Sequence, residues 1–136
     1  MKKILLLIIL ILITGCENKA KAVITKSSVL KEPIPCMRLN NFNAENELTH
    51  HLKKIYHFND KCTYSLTLKF KKDIVCNSTQ NITTKSLGKM PKSFIELEVR
   101  KGFKTIYKYY IDLYHNANID DLDEGFLVLK RDVITY

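Results

Sequence analysis

The side chains with which this 136-residue chain could do chemistry are four cysteines, four histidines and several closely spaced carboxylates. Three of the cysteines, Cys36, Cys62 and Cys76, are widely spaced, and none belongs to the C-x-x-C pair that a dithiol redox centre would be expected to show. In an oxidising compartment three thiols give one structural bridge and one free thiol, with three possible pairings. Cys62 with Cys76 closes the shortest loop, worth roughly 3 kcal/mol on the chain-entropy relation. A tight hairpin at Lys71-Lys72-Asp73 would instead place Cys76 opposite Leu68, about 20 Å along the strand from Cys62. A disulfide cannot span that distance, and Cys36 then becomes the partner of one of the two. The pairing stays open.

The histidines converge less than their number suggests. His50, His51 and His57 share one helical stretch, and His115 lies far downstream. His50 and His57 are about 10 Å apart along a helix axis, whereas zinc on a helix wants ligands at i and i+4. Glu96 and Glu98 lie on the polar side of a strand, with Lys108 available to neutralise the first. Asp120, Asp121, Asp123 and Glu124 suit the start of a helix; with Gly125 they imitate only part of a calcium loop. The N-x-[ST] matches at Asn77 and Asn81 are short patterns that chance readily produces. Gly88, Gly102 and Gly125 are dispersed, so the clustered glycines of a phosphate cradle or nucleophile elbow are missing. The expectation is a non-enzymatic protein with no catalytic residue, no metal site and no cofactor.

The elements that would position these groups can be read from periodicity. Pro33 and Pro35 stiffen the approach to a first edge strand over 34–39. Residues 43–58 read as a helix, with Asn43 as cap, Glu45 and Glu47 at its positive end, and Leu48, Leu52, Ile55 and Tyr56 as one stripe. Cys62, Tyr64, Leu66, Leu68 and Phe70 then alternate with polar residues along a half-buried strand, and 74–76 suggests a short return strand. Residues 77–92 read as a surface loop. Ile95, Leu97 and Val99, followed by Thr105, Tyr107, Tyr109, Ile111 and Leu113, form a hairpin. A two-residue turn would put Val99 opposite Lys104 and scramble the faces. A three-residue loop with Gly102 left-handed pairs Val99 with Thr105 and Ile95 with Tyr109, and is preferred. Phe94 then faces Tyr110, and Tyr114 extends the same side beside Met90, a possible docking patch outside the core. At the end, Ile119, Leu122, Phe126, Leu129 and Val133 fit a helix capped by Asn118, although Phe126-Leu127-Val128-Leu129 could equally be a buried strand.

The layout is therefore α+β, a small antiparallel sheet with two helices on one face, in the order β-α-β-β-β-α. In element order alone it is similar to small envelope lipoprotein domains, such as the lipopolysaccharide-assembly lipoprotein and the N-terminal domain of the translocation protein that works with the Tol system. No sequence motif is shared with either.

The N-terminus gives the most specific signal. Lys2 and Lys3 precede an apolar run from Ile4 to Ile13, about 15 Å as a helix and too short to cross a hydrocarbon core of roughly 30 Å. Ile13-Thr14-Gly15-Cys16 closes it. These residues resemble the signal peptide and lipobox of bacterial lipoproteins, which implies that Cys16 is acylated and becomes the first mature residue. Two or three acyl chains suffice for stable anchoring. In the enteric sorting scheme of such lipoproteins an aspartate after the cysteine retains the protein in the inner membrane; Glu17 is not that signal, which favours the periplasmic face of an outer membrane over the inner membrane. Residues 1–15 would be the signal peptide, 16–32 the lipidated N-terminus and tether, and 33–136 a single domain. Loss of Lys2 and Lys3 with the signal leaves 20 basic against 14 acidic side chains, a net charge of +6. On an exported, tethered domain that charge suits an envelope protein or an anionic glycolipid as partner, and export argues against nucleic acid. An accessory lipoprotein of a secretion or conjugation machine, or a metal- or redox-linked periplasmic protein, is the alternative.

Overall fold

The computed structural model describes residues 21–28, 30–40, 46–75 and 90–134. Strands β1 (Val23–Lys26) and β2 (Arg38–Asn40) are followed by helix α1 (Glu47–Ile55) and strand β3 (Tyr64–Lys71). Strands β4 (Ser93–Lys101) and β5 (Lys104–Leu113) form a hairpin, and helix α2 (Ile119–Leu129) runs into a π-helical turn, Lys130–Ile134. The five strands make one sheet in the order β1-β5-β4-β3-β2. Among the described residues the fold is α+β with two helices, in the order β-β-α-β-β-β-α.

Two features depart from the expected layout. Residues 23–26, expected within the tether, pair antiparallel with β5 from Val23 opposite Tyr110 to Lys26 opposite Tyr107. These four residues are all exposed and show no readable alternation; the free edge of β5 recruits them. The second departure is that β2 runs parallel to β3, so the sheet is mixed. Its connection passes through α1, and a helical crossover is what parallel neighbours require.

Helix α1 starts later than expected. Asn46 is the cap, its Oδ1 accepting from the Thr49 amide at 3.0 Å. Asn43 and Glu45 lie outside the described residues. Leu48 and Leu52 are buried as the stripe requires, but the helix ends at Ile55, which is 37% exposed. Ile74 and Val75 belong to no strand, although the Ile74 amide donates to the Lys92 carbonyl at 2.8 Å.

The hairpin corrects the expected register by two residues. Its turn has only Gly102 and Phe103 between the paired Lys101 and Lys104. Gly102 has φ +60 and Phe103 does not have positive φ, the pattern of a type II′ turn. The faces are not scrambled because a bulge lies just beyond, between the pairs Arg100–Thr105 and Val99–Tyr107. Ile106 is the extra residue; it shifts β5 so that Tyr107 and Tyr109 return to the apolar side opposite Val99 and Leu97.

Helix α2 has the expected start. Asn118 and Asp121 form a reciprocal capping box, each side chain accepting from the other's amide. Leu122, Phe126 and Leu129 are buried, followed by Val133 in the π-helical turn. Gly125 is where α2 crosses the sheet; a Cβ there would lie 2.7 Å from Tyr109 Cε1. Both helices contribute to one core with Leu66, Leu97, Val99 and Tyr109. Cys36 and Cys62 are joined by a disulfide, their Cα atoms 5.9 Å apart. It ties the segments preceding β2 and β3 and closes a loop with a sequence separation of 26, worth roughly 3.5 kcal/mol on the chain-entropy relation.

Candidate interaction surface

Alternation along the strands puts Ser65, Thr67 and Lys69 of β3, Phe94, Glu96, Glu98 and Arg100 of β4, and Lys108 and Tyr110 of β5 on the face opposite the helices. Glu98 lies at its centre and is only 2% exposed. Its Oε1 accepts from Thr105 Oγ1 at 2.6 Å and lies 3.0 Å from Arg100 Nη2, while Oε2 lies 3.3 Å from Lys69 Nζ. Burial pushes this carboxyl's pKa up, but the hydrogen bonds from Thr105, Arg100 and Lys69 outweigh it and hold the value at about 2.

Glu96 completes the ladder, its Oε1 2.8 Å from Lys69 Nζ and its Oε2 3.4 Å from Lys108 Nζ. The expected neutralisation of Glu96 by Lys108 is therefore present, although the residue paired with Glu96 is Tyr110. The hydrogen bond to Glu96 raises the Lys69 pKa above the ordinary lysine value. With every carboxylate oxygen engaged, this stretch presents a rim of cations over a neutralised centre. Sequence alternation located the polar face but not the Glu98 cluster, because Thr105 reaches Glu98 only through the bulge.

Toward one end of this face, the rings of Phe94 and Tyr110 stack with centroids 5.6 Å apart and planes at 27°. They are diagonal rather than directly opposed, since Phe94 pairs with Asp112; diagonal neighbours on one face remain within aromatic reach. The Tyr110 hydroxyl donates to Asp112 Oδ1 at 2.7 Å. Burial and this bond push its pKa up to about 12, so it stays protonated. Tyr114 lies just past the end of β5 and is half-buried, and Met90 is 60% exposed.

The other candidate residues separate. His51 Nε2 is 2.8 Å from Asp123 Oδ1, a link between α1 and α2, and His115 Nε2 is 3.5 Å from Asp121 Oδ1. His50 is exposed. His57 lines a cavity of about 450 Å³ with Leu39, Lys53, Tyr56, Phe58 and Asp60, where the Tyr56 and Phe58 rings meet edge to face. Among the described residues no three His, Cys, Asp or Glu side chains come together as a metal-holding group. No helix among them is long and apolar enough to cross a membrane. Of the cysteines, Cys36 and Cys62 meet, whereas Cys16 and Cys76 lie outside the described residues.

Compared with protein-family models, with curated proteins and with solved structures, the chain matches none.

Proposed function

We propose that this chain is a lipid-anchored cell-envelope protein without catalytic activity, held by acyl chains on Cys16 and acting by binding a partner protein or an anionic glycolipid. The observation that carries the binding reading is the face opposite the helices. Glu96 and Glu98 are neutralised internally, their cationic partners stand at the rim, Asp112 accepts from the Tyr110 hydroxyl, and Phe94 and Tyr110 offer a stacked apolar platform beside them. A rigid aromatic pair next to a cationic rim suits an apolar group carrying negative charge. The lipobox-like Ile13-Thr14-Gly15-Cys16 carries the anchoring reading.

Both halves are open to test in cells that express the full chain. Labelled palmitate should enter the wild-type chain and be lost with Cys16→Ser. A photocrosslinker at Lys71, paired with Phe94 across β3 and β4, should capture a protein or glycolipid, and capture should fall with Phe94→Ala while the protein level holds. Failure to capture either class removes the basis of the binding reading. Capture of a secretion or conjugation component would identify the machine the lipoprotein serves.

A further inference from the structure

The opposite end of the β4–β5 hairpin carries a feature that the stacked pair does not explain. Phe103, at the turn, is wholly exposed at 104%. On either side of the turn, Lys101 and Lys104 pair directly across the strands, with Arg100 next to them. Like charges set opposite one another weaken a hairpin, and a phenylalanine in water adds nothing to the fold. Glu96 and Glu98 engage Lys69, Arg100 and Lys108, so among the described residues the charges of Lys101 and Lys104 go unneutralised. Lys101 Nζ rests 5.4 Å above the Tyr64 ring, which supports its stem without cancelling its charge. The turn beneath is well defined, since Gly102 supplies the positive φ that the two-residue connection needs.

We propose that this hairpin tip docks on an anionic phospholipid bilayer, with Phe103 entering the headgroup boundary and Lys101 and Lys104 meeting lipid phosphates. The proposal rests on the lipid-anchored reading and deepens it, adding a second contact with the membrane that holds Cys16.

Strand β1 runs antiparallel to β5, from Val23 opposite Tyr110 to Lys26 opposite Tyr107, so the chain enters the sheet at the end remote from the tip. Phe103 precedes Tyr110 by seven residues, a rise of about 23 Å. The anchored end and the tip therefore lie at opposite ends of β5, and both meet the membrane when the sheet lies along the bilayer. Anchor and tip together would fix the domain's orientation, which a lipid tether alone leaves free.

The chain has no tryptophan, so Phe103→Trp introduces a single indole at the tip. The full-length acylated variant would be reconstituted into phosphatidylcholine vesicles with and without a third of phosphatidylglycerol, each containing brominated lipid as quencher. A blue shift and strong quenching are expected in the anionic vesicles, with little of either in the neutral ones. Adding Lys101→Gln and Lys104→Gln should lower the inserted-to-free ratio roughly 30-fold, from about fivefold per lysine near an anionic surface. Flotation of the same samples reads the anchor separately. Chains that float while the indole stays solvated in both vesicle types overturn the tip proposal alone. Chains that neither float nor quench overturn the anchoring reading with it. Quenching equal in the two vesicle types and unchanged by the lysine substitutions also overturns it, since insertion would then owe nothing to anionic lipid.

Discussion

The two faces of the sheet bury residues by different means. On the side of the helices, Leu66, Ile95, Leu97 and Val99 are wholly shielded by apolar packing. On the other side Glu98 is almost as well shielded, at 2% exposure, yet what shields it is a ring of polar and cationic side chains. Helix-side burial follows from apolar area and is indifferent to charge. Burial of Glu98 holds only while the carboxylate is ionised and its donors are in place. Low exposure thus marks the fold on one face and a charge arrangement on the other.

The largest effect should come from the helix side. Leu97→Ala removes a side chain with 0% exposure and should cost roughly 3 kcal/mol in denaturant unfolding, with a similar cost at every pH where the protein folds. Glu98→Gln should cost less, roughly 2 kcal/mol near neutrality, and its cost should depend on pH. The native carboxyl is held at about 2, below its ordinary 4.5. Its contribution is therefore present above the unfolded value and lost as pH falls through the native one. The wild type and Glu98→Gln should converge in stability between about pH 5 and pH 2, whereas wild type and Leu97→Ala should not. A Glu98→Gln deficit that persists unchanged in acid would mean that shape, not charge, shields this position. Phe94→Ala should have the smallest effect, about 1 kcal/mol from the lost stacking, with unchanged far-ultraviolet circular dichroism. A loss as large as that of Leu97→Ala would assign Phe94 to the core and sharpen the division between the faces differently.

The parts of this division that sequence made legible are those where local signals agree. The alternation in β3 and the capping residues of α2 give face and boundary together, because each depends on neighbours a few positions away. The hairpin register was not legible. A two-residue turn scrambles the faces of a regular ladder, yet one extra residue, Ile106, restores them. Nothing in the apolar pattern marks Ile106 as a bulge rather than another inward residue. Phe94 and Tyr110 meet all the same, through a diagonal that the altered register happens to keep. Strand β1 was hidden for another reason: its pairing depends on the edge of β5, distant in sequence. For the disulfide, strand geometry argued against one pair, and the parallel placement of β2 beside β3 brings Cys36 to Cys62.

Both edges of the sheet are its shortest strands, four residues in β1 and three in β2. Acyl anchoring would confine these domains to a plane, where neighbours collide at local densities far above those of a dilute solution. A long bare edge would then template strand addition from one molecule to the next. Here each edge offers few backbone groups, and β1 ends in Lys26, whose ammonium donates to the Asp132 carbonyl at 2.8 Å. The clipped edges would let the domain tolerate crowding in two dimensions without polymerising.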